Sequence, residues 1–546
     1  MATKIFASKE HVTALLGVDY VRELTFPQIF KDSELSVFPV VVARDGRPHV
    51  VVGAADAGAH AAARREVPFS TAGRYFDWNQ GPDFKAPGFV DAVLAAAGEG
   101  PLEIEATMPV ARFEALAAAR PVTLFGQAPE VPVHLYTRSA AALEAVWRQT
   151  RDADVPRLDA FVSTLRFGAV LAEAMRAEPL GFAVLDRQLA AAGLDALLVS
   201  APFNAEMFTG LPGGLIADLG LTCLYRPGVD DILVISERPI VQPGFVPAGA
   251  AANLGAALAA AASGRVGFEK GHLPAGSFQH LQAAGLDLAD GTHALRRFFD
   301  ERAGTDLVYF IVAANAVLAG FEYAKAFLLR TASCSALLET DVAAVFHQGV
   351  AAFAQDVGMQ GRVLPYFDII HPGARTLLPA MAGRYPISAG DETIKFDMGL
   401  LVTDSTGVVR GCSDIARSMS PDPALQAAHD KLRALLVDAL IPAIKPGMSG
   451  SEIHAVGIEV LRPMADELKA CGLLHADMSI DGYTRDCGHT LQRQTLATVH
   501  FLPGFAGTLH AGMLGCTEFV WPIDDKIIAC EDGYYVTPDG AVPFTV

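Results

Sequence analysis

The chain has no Cys-x-x-Cys pair, and its seven cysteines are scattered over 546 residues. The first absence removes a thiolate zinc site, and the odd, dispersed count removes a disulfide framework. Reduced thiols in a cytoplasmic protein are what that pattern implies. Positive charge is also scarce, with 42 Lys and Arg against 61 Asp and Glu and a net charge of -19. Nucleic acid and anionic membrane are therefore excluded as electrostatic partners. Long hydrophobic runs are missing too. The opening MATKIFASKEHVTALLG has no signal-peptide core before its charges resume, and the apolar stretch Leu307 to Phe321 contains Asn315. That stretch is shorter than the roughly 20 residues that span a bilayer. The Ala-rich segment 248–262 reads as a packed helix. Hydrophobic residues make up 51% and charged residues 19%, a globular rather than disordered composition.

The length suffices for several domains with sizeable cores. An internal repeat organises the first half. AAAGEGPLEIEATMPVARFEALAAA (95–119) resembles AAASGRVGFEKGHLPAGSFQHLQAA (261–285). Each has an Ala-rich helix, a Gly, a short strand ending in Glu105 or Glu269, then a Pro and a Phe-containing helix. Upstream, VVVARDGRPHVVVG (40–53) parallels CLYRPGVDDILVIS (223–236), both strand–turn–strand. Two similar α/β domains follow, 1–150 and 178–298, joined by a helical connector at 151–177. The region 299–546 differs: long helical patterns precede separated antiparallel hairpins, giving an α+β fold. Ser449 and Glu452 form a capping box that opens a helix.

Four carboxylates fall in two of those hairpins. In TIKFDMGLLVTDSTGVVRGCSDIARS the turn signal is Asp404-Ser405-Thr406-Gly407. If Asp404 faces Gly407, Asp397 lies directly opposite Asp414. In CTEFVWPIDDKIIACEDGYYV the turn is Asp524-Asp525, and Glu518 then opposes Glu531. Like charges directly across a strand pair destabilise it. Two such pairs make sense around a multivalent cation. Between the hairpins stand Gly488-His489 and, further on, His500 in VHFLPG. One histidine with four carboxylates suits two hard-to-borderline divalent ions such as Mn²⁺, Co²⁺, Fe²⁺ or Zn²⁺. Paired ions activate water and polarise a carbonyl, so the donor set points to hydrolysis.

The order Asp…Asp-x-x-Arg…Gly-His…His…Gly-Met-x-x-x-x-Glu…Glu-Asp resembles the pita-bread superfamily of methionine aminopeptidase, aminopeptidase P, prolidase and creatinase. FDMG and SDIARS resemble its two Asp motifs, with Arg417 in the usual place beside the ligands. GMLGCTE places Glu518 five residues after Met513, and CEDGYYVTPDG resembles the final Glu motif. GLDALLVSAPFNAEMFTG (193–210) and GRVGFE (264–269) resemble the creatinase-type N-terminal domain. The resemblance implies a pita-bread catalytic domain preceded by two creatinase-N-like α/β domains, the first a degenerate copy, as in three-domain aminopeptidase P. It further implies that Asp397 holds one metal, that His489 and Glu518 hold the other, and that Asp414 and Glu531 bridge them. His500 would be the acid/base or oxyanion-stabilising group, and the protein a homodimer acting on a peptide or small amide.

The pattern also departs from the family. Asp397 and Asp414 are 17 residues apart, a lengthened spacing. The residue after His489 is Thr490 in place of Gly, and the interval to His500 is lengthened. A substrate-contacting His is replaced by Ala380, and the Arg that proline-handling members carry before the last Glu is Ala529. Metal chemistry is kept while substrate recognition is rewritten. Three readings follow: an Xaa-Pro aminopeptidase or prolidase-like metallopeptidase, a creatinase-like hydrolase of a small amide or C–N compound, and a non-catalytic binding protein. Of the remaining candidates, His371 reads as a loop histidine and Glu105 as structural. Arg417 reads as a partner of a ligand carboxylate, and Cys412, Cys487, Cys516 and Cys530 as small buried neighbours, with a metal-binding cysteine cluster as the lesser alternative.

Overall fold

The computed structural model describes residues 3–16, 40–45, 47–53, 70–75, 88–126, 130–332, 336–373, 382–390, 392–483, 485–494, 497–523 and 526–545. Ala380 and the turn Asp524-Asp525 lie outside the described residues.

The first sheet contains β1 (Thr3–Phe6), β2 (Val40–Arg44), β3 (Arg47–Gly53), β4 (Ser70–Tyr75), β5 (Leu102–Glu105) and β6 (Val122–Phe125), in the order β4-β3-β2-β1-β5-β6. The second contains β7 (Val133–Ser139), β8 (Ala196–Val199), β9 (Leu221–Tyr225), β10 (Asp231–Ser236), β11 (Val246–Ala251), β12 (Arg265–Phe268) and β13 (Asp287–Asp290), in the order β11-β7-β10-β9-β8-β12-β13. The run β10-β9-β8-β12-β13 repeats β3-β2-β1-β5-β6. In each the first-named central strand is antiparallel to its hairpin neighbour and parallel to the next strand. Strand β7 precedes residue 150 yet pairs with β10 and β11, so the first sheet ends at Phe125.

The repeat extends to single hydrogen bonds. Glu105 accepts the backbone N–H groups of Ala7 and Ser8 at 2.7 and 2.8 Å, just past β1. Glu269 accepts those of Ser200 and Ala201, just past β8, and also binds Asn204. Each buried carboxylate satisfies a chain reversal that would otherwise bury unpaired donors. The repeats meet about an approximate two-fold. Val110 N donates to Leu273 O at 2.9 Å while Ala275 N donates to Met108 O at 2.8 Å, flanking the bridge Pro109–Pro274.

The remaining chain forms two half-domains. The first packs helices Leu307–Arg330 and Glu339–Asp356 on β14 (Val363–Pro372), β15 (Ile394–Thr403), β16 (Val409–Cys412) and β17 (Ile415–Met419). The second packs helices Pro423–Leu435 and Gly450–Leu461 on β18 (Gly488–Thr490), β19 (Leu514–Ile523), β20 (Lys526–Val536) and β21 (Ala541–Pro543). The helix Gly450–Leu461 starts with the Ser449–Glu452 capping box. The helical run Thr292–Arg330 is long and apolar enough to cross a membrane, a longer run than the sequence reading drew, but 78% of its apolar window is buried in the fold. From Leu307 on its apolar side chains are core to the first half-domain, while Leu295, Phe298 and Phe299 pack in the core of the second α/β sheet.

The two sheets join where β17 lies beside β20. Ala529 N donates to Ser418 Oγ at 2.8 Å, and Arg417 donates to the Glu531 carbonyl and, at 2.8 Å, to Asp532 Oδ1. A buried polar junction ties the second α/β sheet to this assembly. Glu206, on helix Pro202–Thr209, pairs with Arg493 and accepts from Gly213 N at 2.8 Å and Val409 N at 3.0 Å. Arg493 also donates to the carbonyls of Phe203 and Val409. Removing one partner of such a pair strands the other charge, at a cost of about 3–5 kcal/mol. Glu206→Ala is therefore expected to lower the unfolding temperature markedly in calorimetry, whereas Glu452→Ala, which loses only the exposed half of a capping box, is expected to shift it far less.

Candidate metal centre

The carboxylate hairpins contribute one pair from each half-domain. Glu518 on β19 opposes Glu531 on β20, the register indicated by the sequence. The other hairpin differs. Asp404 N donates to Val408 O at 2.9 Å, so the turn closes one residue later than Gly407. Arg410 then bulges between the pairs Thr403–Val409 and Val402–Gly411. The bulge aims its fully buried guanidinium at Asp404, Asp306 and Thr150. Asp397 consequently faces Ala416, and Asp414 sits in the break between β16 and β17, two positions along. Because side chains alternate with a period of two, a two-residue displacement leaves Asp414 on the same face as Asp397. The two carboxylates are diagonal neighbours within hydrogen-bonding reach.

His489 on β18 pairs with Cys516 on β19. Its Nδ1 lies 2.9 Å from the Thr490 carbonyl, which holds the proton there and leaves Nε2 facing Asp414 Oδ2 at 3.6 Å. One donor atom each from Asp414, His489, Cys516 and Glu531 fall within 4.8 Å of one another. Cys516 reaches the cluster because it is two residues from Glu518 on the same strand face. Its cross-strand partner is Gly533, which offers no side chain to exclude the thiol. Its Sγ is 3.6 Å from His489 Nε2.

His500 joins His489 through an antiparallel bridge, with ring centroids 5.7 Å apart. Asp486 positions it. One Asp486 oxygen is 2.8 Å from His500 Nδ1, and the other accepts Gly488 N at 2.9 Å and Phe501 N at 3.0 Å. The side chain is 40% exposed, so the ring is reachable from solvent. Arg417 corrects the sequence reading: it holds the backbone carbonyl of Glu531 and the side chain of Asp532, and those contacts, not a ligand carboxylate, are its partners here. His371 is no loop histidine but a buried residue of β14, with Nδ1 3.0 Å from Glu339 Oε1. Ala529 is buried opposite Val520.

Crowded negative charge governs the electrostatics. Burial, reinforced by Asp397 and Glu518, holds the Asp414 carboxyl well above its usual range. Burial, then Asp414, does the same to Glu531. Glu518 is pushed up to about 8 by burial, with Asp486 and Asp397 adding to it. Burial also lowers His489, which favours the neutral imidazole that binds metal. A donor set of crowded carboxylates, a neutral imidazole and a thiol fits a divalent cation.

Together the two half-domains and their shared acidic centre define a metallopeptidase-type hydrolase domain. Residues 311–538 match Metallopeptidase family M24, and the C-terminal domain belongs to that family with its pita-bread fold. No curated protein matches the chain. Among solved structures, dipeptidase PepE from Mycobacterium ulcerans is 18% identical, covering 69% of this chain and 96% of its own, with a TM-score of 0.47. The prolidase from Pyrococcus furiosus is 17% identical over 66% and 98%, with a TM-score of 0.48. The Xaa-Pro dipeptidase from Bacillus anthracis is 18% identical over 68% and 97%, also at 0.48.

Asp486 and Lys395 escaped the sequence reading as participants, and Cys516 entered it only as part of the lesser cysteine alternative. Asp486 stands two residues before Gly488, where an acid so close to a ligand motif was a usable signal. Cys516 was legible from its even spacing to Glu518. Lys395 shares a strand face with Asp397 and places its Nζ 3.1 Å from Asp397 Oδ2. A lone lysine inside an apolar strand was the signal there.

The raised Glu518 carboxyl has a thermodynamic consequence. Without metal, this group holds its proton more tightly folded than unfolded, where its ordinary value is 4.5. Its contribution is fully present below pH 4.5 and is lost as pH rises through about 8. The chelator-treated protein is expected to show a falling unfolding temperature across that window. Glu518→Gln should flatten the fall, and saturating Mn²⁺ should reverse it.

Proposed function

We propose that this protein hydrolyses an amide bond with divalent metal, and that Xaa-Pro peptides are its first candidate substrates. The carrying observation is the convergence of Asp397, Asp414, His489, Glu518 and Glu531 from two sheets, with the Asp486–His500 pair beside them. When bound, divalent cations supply a water nucleophile at neutral pH and polarise the scissile carbonyl. The five side chains have donor capacity for two ions, Mn²⁺ foremost, and Lys395 bears on how the second position is filled. Asp397, Asp414 and the two glutamates would hold the ligand geometry, with Asp414 and Glu531 central. His489 would present Nε2 with its tautomer held by the Thr490 carbonyl. His500, oriented by Asp486, would donate a hydrogen bond to the developing oxyanion and pass a proton to the leaving amine. The free buried thiols suit a reducing, cytoplasmic compartment. A homodimer is part of the same reading.

A second reading rests on Ala529. An alanine stands where proline-handling members carry an arginine, which favours a small amide or C–N substrate lacking the carboxylate that such an arginine would bind.

Asp414→Ala and Glu531→Ala are expected to lose metal, measured by elemental analysis, and to lose hydrolysis with it. Full activity in either would refute the assignment. His500→Ala should keep its metal while kcat falls about 10²–10⁴-fold, the range for loss of a general acid. A panel of Xaa-Pro dipeptides, longer Xaa-Pro peptides and small cyclic amides separates the two substrate readings: prompt Xaa-Pro turnover excludes the second.

A further inference from the structure

Lys395 brings to the centre the wrong charge for a metal ligand, in direct contact with one of the carboxylates. It lies on β15 two residues from Asp397, so strand alternation points both side chains to the same face. The opposite face of β15, with Phe396 and Met398, is packed in the core of the helices. Lys395 pairs across the sheet with His371 on β14 and Ser418 on β17. Ser418 Oγ is already engaged with the Ala529 backbone, and His371 Nδ1 with Glu339. Lys395 is 6% exposed, and its ammonium reaches Asp397 Oδ2 at 3.1 Å. A buried ammonium needs an anionic partner, and here that partner is the carboxylate the family order assigns to one metal.

The donor atoms divide accordingly. Asp414, His489, Cys516 and Glu531 form the compact group within 4.8 Å, a complete four-donor set of carboxylate, imidazole and thiol. Asp397 is held by Lys395 at the edge of that group. A divalent cation on Asp397 would sit against a fixed positive charge that the backbone cannot turn away, because the only other face of the strand is apolar core.

We infer that the Lys395 ammonium takes the cation position beside Asp397, so that the centre binds one divalent ion, at Asp414, His489, Cys516 and Glu531, and a lysine in place of the second. This rests on the metallohydrolase reading and narrows it. The lysine keeps the charge a second cation would have brought, fixed to the chain and independent of metal supply. Asp397 then acts as a positioning residue for that ammonium.

Metal stoichiometry tests this without reference to turnover. Metal-free full-length protein is titrated with Mn²⁺ and, separately, Co²⁺ by calorimetry, and the metal-to-protein ratio is measured after dialysis. One equivalent is expected for the native chain and two for Lys395→Met, in which the competing charge is gone and a comparable volume remains. Asp397→Asn is expected to bind its single ion within about twofold of native affinity, since Asp397 is not among that ion's donors. Two equivalents of similar affinity in the native chain overturn the inference, as does a ratio of one in Lys395→Met or loss of the ion in Asp397→Asn. Thermal melts check that each variant folds, and if Lys395→Met does not, the native and Asp397→Asn titrations still decide. No bound ion in the native chain would instead defeat the metallohydrolase reading itself, while one bound ion without hydrolysis of any substrate would defeat that reading's chemistry alone.

Discussion

Negative charge forced together by two sheets is the constraint around which the C-terminal domain is built. Asp397 and Asp414 come from one sheet, Glu518 and Glu531 from the other, and neither sheet can withdraw its pair. Strand alternation commits each carboxylate to the inner face, since the outer face supplies the hydrophobic core. Repulsion at this distance would open the seam between the sheets were it not closed elsewhere. Arg417 closes it by gripping the Glu531 carbonyl and Asp532 from β17, and Ser418 adds two bonds to the Ala529 backbone. The scaffold therefore holds the ligands in place against their own electrostatics, which is what a preformed cation site requires.

The same logic of buried charge recurs away from the centre. Glu206 and Arg493 fasten a helix of the second α/β sheet to the bulged strand β16 and to the segment following His489. Arg410, turned inward by its bulge, gathers Asp306, Asp404 and Thr150. Such pairs are weak sources of net stability but strict about geometry, because any misplacement leaves an unpaired charge inside the protein. They carry the position of the first hairpin from one sheet to the next. The N-terminal sheet's domain, by contrast, meets its twin through four backbone bonds around Pro109 and Pro274 and carries none of the residues of the metal centre.

Much of this was readable in the chain, unevenly and for physical reasons. The β19–β20 register was legible because uninterrupted alternation leaves a single way to pair a hairpin whose inner face is buried. The β15–β16 register was not, because a wider turn and the Arg410 bulge each add a residue, and a bulge leaves no periodic trace. The face assignment survived only because the two errors sum to an even displacement. The repeat was visible through Glu105 and Glu269, whose role past a strand end demands a carboxylate in both copies. The place of strand β7 was not legible, because sheet membership is a long-range property and its partners lie about a hundred residues on. Lys395 and Asp486 went unnoticed because pattern matching attends to expected ligands, not to the charges that crowd them.

Residue type and order by themselves determined the acidic hairpins, the histidines and the overall succession of α/β units before a helical and hairpin-rich domain, since these depend on local periodicity and spacing. Tertiary structure decided which carboxylate faces which, that Cys516 enters the cluster, that Asp486 holds His500, and that Lys395 claims Asp397. Each of those is a contact between side chains set by bulges, sheet packing and burial. None of these leaves a local signature, because their energies depend on which distant surfaces exclude water together.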